Sequence, residues 1–504
     1  MSISRVAAVG AGIIGVALAR EITRRFPDAE VTVLDRADRV AAAQSGHTAG
    51  IVHAGLTEAP GTLEAKLARR GLELLIPYAA GQGIALRECG QLVIAQDTDE
   101  VERLEDLLTR AEKTGVPGVR VVDRAEMREI EPQARGVQAL YSPHTAITDY
   151  RSLAEALAAD VREAGGRFRF GTEVTGIDVM SNEVRVRARN APTDDEDGSE
   201  SSETGYSTDL ETMPGERPHT DDDQVVDRPR TYRGDDGEPQ VEAGRGGRGG
   251  RLGEELHRRF GDKDWFRSAE DKIDEWTGTK PVDRNRPTPP AEFDAGVFDL
   301  VFVAVGLQSD RLAAAAGLDP EPRVVPFASS YSQLVLPAAE AVHGIIGSVP
   351  DPDDPLEETM LVRTVDGALL LGPTTHIALG RNAGSARDID FGDLGSSFGF
   401  SGFWKFAKRN VRSAAEGVRS ATSTSALVER IRRFAPDLDT AEMTAGPRGI
   451  RAATIDAKGD LVTGLTVTTR GRLTQVRSVP ASGATMALAI AEHIVERAQA
   501  ATGR

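Results

Sequence analysis

Three glycines, Gly10, Gly12 and Gly15, stand in G-x-G-x-x-G spacing directly after the apolar run Val6, Ala7, Ala8, Val9. A second apolar run, 31–34, ends on the acid Asp35. This spacing can do one kind of chemistry well. Gly10 makes a tight turn, Gly12 lets backbone approach a pyrophosphate, and Gly15 lets the following helix pack close to the strands. The helix start offers unpaired N–H groups and a positive dipole end to the phosphates. Asp35 is placed to accept hydrogen bonds from a ribose. Because the triad follows a strand, opens a helix and has its acid at the end of strand two, it predicts a dinucleotide site rather than a glycine-rich turn alone. Just beyond, AAAQSGHTAGIVHAGL (41–56) holds His47 and His53, two of the eight histidines in the chain.

The elements that must position these residues follow from periodicity. Helices are expected over 13–25, 63–80, 97–115, 151–166, 398–419 in part, 425–434, and after the small-residue loop 480–485. In 97–115, Val101, Leu104, Leu107, Leu108 and Ala111 recur at helical spacing. Strands are expected over 89–95, 298–305, 326–336 and 361–371, the last with a turn at Asp366 and Gly367; 139–150 reads as a strand and turn, and 167–189 as a hairpin-like pair. The strand at 298–305 runs into Gly306 and a helix, so it extends the parallel sheet begun by the first two strands.

At 504 residues the chain can build two or three domains. Its net charge of −18 argues against a hold on nucleic acid, because phosphates are repelled overall. With Cys89 the only cysteine, no intrachain disulfide or thiolate metal cluster is expected, and no other metal site is indicated. No apolar run reaches the roughly 18 residues of a membrane span. The first strand follows directly on the start, so no signal peptide is expected and a cytoplasmic protein is the default. Residues 190–292 are rich in Asp, Glu, Ser, Gly, Arg and Pro and read as disordered. Within them 252–276 could form a short amphipathic helix, and GRGGRGGR reads as flexible spacer in preference to an RNA-binding tail.

Three features favour FAD over NAD. The final loop and helix return after a strand, which aims a helix N-terminus at a flavin pyrimidine carbonyl, where negative charge builds on reduction. The glycine-histidine loop comes soon after the ribose acid, where the chain must run along the cofactor. A β-rich region, 326–371, can roof a flavin. With these features in view, the opening V-G-A-G-I-I-G…V-T-V-L-D-R resembles the FAD fingerprint of the D-amino-acid-oxidase-like flavoproteins. SGHTAGIVHAGL (45–56), PGTLEAKLARRG (60–71), CGQLVIA (89–95), VPFASSY (325–331), PDPDDP (350–355), VRTVDGALLLGP (362–373), GPRGIRA (446–452) and VPASGAT (479–485) resemble, in order and spacing, the L-2-hydroxyglutarate oxidase/dehydrogenase family.

The resemblance implies an α/β fold. A Rossmann-like FAD-binding domain (1–80, 151–189, 293–325, 441–504) is joined to a β-rich, α+β substrate domain (81–150, 326–440), with the insertion at 190–292. It implies hydride removal from C2 of a 2-hydroxy acid, with electrons leaving to a quinone or another acceptor. Gly10, Gly12, Ile13, Ile14, Gly15, Asp35 and Arg36 would hold the ADP half. Val174 would meet the adenine and Gly306 the pyrophosphate. Ser45, Gly46 and His47 would run along the cofactor, and Gly483, Ala484 and Thr485 would face the flavin.

For the chemistry, His53 is the expected base or hydroxyl partner, and Arg363 and Arg451 are the carboxylate clamps, since a guanidinium fork binds a carboxylate bidentately. Tyr331 would hydrogen-bond substrate. Against these stand plainer roles: histidines that cap the loop, strand arginines on the surface, a core tyrosine. A covalent flavin link through His47 is the alternative to a noncovalent one. Several positions depart from the family pattern: Thr57 and Glu58 for an aromatic pair, 329–332 for G-E-Y-Y, Met360 for a histidine, and Thr374 and Thr375 for N-A. They fall on the substrate roof, which leaves an amine or amino-acid oxidase, or a flavoprotein without turnover, as alternatives. FGFSGFWKFAKR (398–409) mixes aromatics with Lys405, Lys408 and Arg409; it reads either as a peripheral membrane contact on the inner face or as core packing.

Overall fold

The computed structural model describes residues 3–191, 290–334, 338–351, 359–378, 380–381, 399–410, 424–440 and 442–501. Most of the expected insertion, including 252–276 and the arginine-glycine tract, lies outside them, as do 352–355, 398 and 411–419. Strands in chain order are β1 (Arg5–Val9), β2 (Glu30–Leu34), β3 (Ile51–Val52), β4 (Leu86–Glu88), β5 (Gln91–Ala95), β6 (Arg120–Val122), β7 (Gln138–Ser142), β8 (Ala146–Thr148), β9 (Arg167–Arg169) and β10 (Thr172–Val179). They continue as β11 (Val184–Asn190), β12 (Phe293–Phe298), β13 (Leu300–Val303), β14 (Arg323–Leu334), β15 (Ile345–Ser348), β16 (Met360–Arg363), β17 (Leu369–Ile377), β18 (Met443–Ile455), β19 (Thr466–Arg470) and β20 (Leu473–Ser478). Helices are α1 (Ile13–Arg25), α2 (Leu63–Gly81), α3 (Thr98–Thr114), α4 (Arg124–Ile130), α5 (Tyr150–Glu163), α6 (Ser309–Ala315), α7 (Ser401–Arg409), α8 (Thr424–Phe434) and α9 (Ala487–Ala501).

The first sheet runs β19-β20-β13-β1-β2-β9, parallel except for the edge strand β19. Four of the five residues of β1 are buried, which is what a strand covered on both faces requires. On one face α1, α5 and α9 cover it, with Val16, Leu18, Ile22, Leu157, Ile490 and Ile494 in one core. On the other lies the antiparallel sheet β10-β11-β12. The expected hairpin at 167–189 is therefore β10 with β11 alone, while β9 joins the parallel sheet beside β2.

The larger sheet runs β18-β14-β17-β16-β15-β5-β7-β6. Alternation gives it two apolar faces. Leu92, Ile94, Leu334, Leu361, Leu369 and Leu371 pack under α4 and α8. Val93 and Ala95 turn to α3, and Met360, Val362 and Leu370 to Ala49, Ile51 and Ile147. This second face looks at the parallel-sheet half. Strand β18 pairs antiparallel along β14, from Arg323 opposite Ile455 to Leu334 opposite Met443. Helix α3 is bounded as its sequence dictates, with the Asp97 carboxylate accepting from Glu100 N–H and Gly115 left-handed at φ 77°.

In α7, Phe403 and Phe406 are buried against Val325, Phe327 and Ile455, and Trp404 is 48% exposed. Lys405 donates to the Ala457 carbonyl, and Arg409 pairs with Asp460. Among the described residues no helix is long and apolar enough to cross a membrane.

Candidate functional site

Gly10, Asp35 and Gly306 all follow the carboxyl ends of adjacent parallel strands, β1, β2 and β13. The chain reverses its direction of winding across β1, and open α/β sheets bind ligands at that point. Gly10 has φ +106°, and a Cβ there would lie 2.3 Å from the Ala304 carbonyl oxygen. A Cβ on Gly15 would lie 1.9 Å from the Gly10 oxygen. Gly12 is different: a Cβ on it would meet only the Ser45 hydroxyl, at 3.3 Å. The missing side chain leaves a cradle over the start of α1, where Ile13 N–H donates to Ser45 Oγ at 3.0 Å.

The Asp35 carboxylate accepts from the N–H groups of Ala11 and Ala37, so it fixes the glycine turn as well as ending β2. Burial pushes its pKa up, and those two N–H donors pull the other way. Val174 packs against the cluster holding Val9, Leu34 and Val303, beside the same strand ends. Arg36 and Ile14 are half-buried.

The loop 41–56 closes over this edge. A Cβ on Gly46 would strike the Ala41 carbonyl at 2.3 Å, with the Arg151 guanidinium 3.1 Å away. His47 is exposed, but partial burial of its ring and then Arg151 and Arg39 hold its pKa below the usual range, opposed by a backbone hydrogen bond to Ala42. His53 N–H donates to Thr485 Oγ1 at 3.2 Å. The buried Tyr150 hydroxyl donates to the Ile51 carbonyl at 3.0 Å and lies 2.8 Å from Thr485 Oγ1. Burial pushes the Tyr150 phenol up, so it stays a neutral donor. Gly71 completes the seam, since a Cβ there would lie 2.6 Å from the Thr485 oxygen. The early loop, α2 and the turn carrying Gly483, Ala484 and Thr485 are thus held together before α9 begins.

The wall opposite is the large sheet. Thr375, Ser329 and Gly449 form one rung across β17, β14 and β18, and Ile377, Phe327 and Arg451 the next. A Cβ on Gly449 would lie 2.7 Å from the His47 Cβ, so this face meets the histidine loop. Arg451 shares the face, and among the described residues its guanidinium has no partner. Tyr331 sits at a bulge in β14 and packs with Ile51, Met360 and Leu370 on the same side.

Arg363 is a correction to the expected clamp. It alternates with Val362 and Met360, so it lies on the other face. There Nη1 donates to Val342 O at 3.1 Å and to Ala339 O at 3.4 Å. The structure brings together the glycine turn, Asp35, Ser45, His47, His53, Thr485, Tyr331 and Arg451, and leaves Arg363 out. Sequence reasoning passed over Tyr150, Gln44 and Gly71. Gln44 accepts from Ala452 N–H at 2.9 Å, and its amide covers Gly306. A glycine inside a helix was the one available signal, at Gly71; nothing local marks Tyr150 or Gln44.

The family described as FAD dependent oxidoreductase matches residues 5–204 and 267–497. The chain is 29% identical over 505 residues to the mitochondrial L-2-hydroxyglutarate dehydrogenase of Nematostella vectensis, covering 98% of this chain and 90% of that protein. Its human counterpart is 27% identical over 496 residues, covering 97% and 88%. Among solved structures, the FAD-bound L-alpha-glycerophosphate oxidase of Mycoplasma pneumoniae superposes with a TM-score of 0.63 at 15% identity, covering 99% of this chain and 95% of that one. That likeness is one of fold.

Proposed function

Because this chain belongs to the FAD-dependent oxidoreductase family, we propose that it oxidises a small 2-hydroxy acid, L-2-hydroxyglutarate above others, to the 2-oxo acid and passes the electrons to a quinone or another acceptor. Bound FAD supplies the hydride acceptor. The cradle at Gly12 and the unstrained approach over Ser45 suit a pyrophosphate. In this reading Gly10, Gly12, Ile13, Ile14, Gly15, Asp35 and Arg36 hold the ADP half, and Val174 and Gly306 flank it. Ser45, Gly46, His47, Gly483, Ala484 and Thr485 line the flavin.

His53 takes the proton from the substrate hydroxyl, a step that a positioned base accelerates by about 10²–10⁴-fold. Arg451 binds a carboxylate through its fork, and Tyr331 hydrogen-bonds the substrate. The observation that carries this reading is Arg451 itself: a half-buried guanidinium, unpartnered among the described residues, on the sheet face that meets the histidine loop. Among the described aromatics of α7, Trp404 is the one placed for a peripheral membrane contact that delivers to a quinone, because Phe403 and Phe406 are turned inward.

Anaerobic mixing with L- and D-2-hydroxyglutarate, malate, lactate and simple amines, followed by visible absorbance, tests the proposal. L-2-Hydroxyglutarate is expected to bleach the flavin fastest. Bleaching by amines but by no hydroxy acid would make this an amine oxidase. A yellow protein that none of them bleaches would make it a flavoprotein without this turnover.

A further inference from the structure

We propose that Glu58 tunes the electron affinity of the bound flavin, acting through Ser482 on the turn that leads into α9. Glu58 is only 8% exposed. Its Oε1 accepts from Ser482 Oγ at 2.6 Å, and its Oε2 is buried with no hydrogen-bond partner among the described residues. Apolar carbon lies close by: a Cβ built on Gly55 would touch Oε2, Val116 Cγ2 and Ala68 Cβ at 3.8–3.9 Å. A carboxylate held this way is expensive to bury, and an apolar side chain would be more stable there. Its place in the chain gives it a use. It follows the loop that carries His53 by two residues, and the Ser482 donor sits three residues before Thr485, whose hydroxyl accepts from His53 N–H.

The first turn of α9 offers its positive end to the negative charge that a flavin gains on reduction. A carboxylate beside that turn opposes it. At about 10 Å and an effective dielectric near 20, one charge changes the equilibrium by roughly tenfold. Glu58 therefore makes the flavin harder to reduce and readier to give electrons on. Ser482 is the positioning residue, since among the described residues its hydroxyl is the donor that fixes the carboxylate. The inference rests on a flavin seated against 483–485 and not on which acid is oxidised, so the two proposals fail separately.

The test is the midpoint potential of the holoenzyme, measured by equilibration with reference dyes in the absence of substrate. Glu58→Gln is expected to raise it by the equivalent of about tenfold in the two-electron equilibrium, about 30 mV. Glu58→Met, isosteric and apolar, is expected to do the same, and it serves if the amide variant does not fold. Ser482→Ala is expected to shift the potential in the same direction by a smaller factor. A potential unchanged or lowered in a folded, fully FAD-loaded Glu58 variant overturns the proposal. A fall in FAD affinity with no change in potential also overturns it, because that is what a merely structural contact would give.

Discussion

Arg451 keeps its guanidinium on the face of β18 that carries Gly449, whereas Arg363 commits its own to the carbonyls of Val342 and Ala339. The difference sets what each substitution should do. Arg451→Met is expected to raise KM for a dicarboxylate substrate by about 100-fold or more, the usual loss when one partner of a charged hydrogen-bonded pair is removed. Arg363→Met should leave KM within about twofold but lower stability by about 1–3 kcal/mol, because two buried carbonyls lose their donor. Steady-state kinetics and denaturant unfolding of both variants check the pair, and a KM effect in Arg363→Met would restore it as a clamp. Asp35 shows the opposite bargain between burial and bonding. Its raised pKa means that ionisation works against the folded chain, a cost present above the folded pKa and absent below the ordinary carboxylate value. Hydroxyl donors from a ribose would offset that cost.

Among the elements, β11 and β12 have the plainest consequence. They pair antiparallel, Ala188 opposite Phe293 and Val184 opposite Phe298, so the stretch 191–292 is a connection between neighbouring strands of one hairpin. Replacing 192–289 by a short glycine-containing turn is expected to leave a folded protein that still binds FAD in a 1:1 ratio, checked by absorbance and thermal unfolding; loss of the flavin would show that the insertion contributes to the site. The glycine turn, α1, β2 and the capped helix α3 were legible in the sequence because local spacing decides them. Strand partners were not. Nothing within RFRF at 167–170 says that β9 will pair with β2, and nothing within GPRGIRA says that β18 will lie along β14. Both depend on residues far away in the chain. The same gap misplaced Arg363: alternation puts it with Leu361, but only the assembled sheet says which face meets the histidine loop.

Across the whole molecule, one ion pair joins the nucleotide-side helix α6 to the roof. Arg381, just beyond β17, forms two bonds to Asp310, and both side chains are 1% exposed. Arg381 also donates to the carbonyls of Leu307 and Val324, while Asp310 accepts from Val324 N–H. Arg381→Met should cost about 3–5 kcal/mol, since it strands a buried carboxylate, and adding Asp310→Leu should recover much of the loss. Denaturant midpoints for the two single variants and the double variant decide it; additive losses would mean the pair is not coupled.

The order of the parallel sheet carries a last consequence. Strand β20 lies beside β13, next to β1, and α9 packs on α1, so the first turn of the chain is completed by its final segment. Helices α1 and α5 come early in the chain, but α9 and β20, which complete that face and that sheet, lie more than 300 residues later. A chain cut near residue 470 would therefore lose β20 and α9 together, stripping β13 of its neighbour and α1 of the helix packed on it, and would be a substrate for proteases and not a slower enzyme.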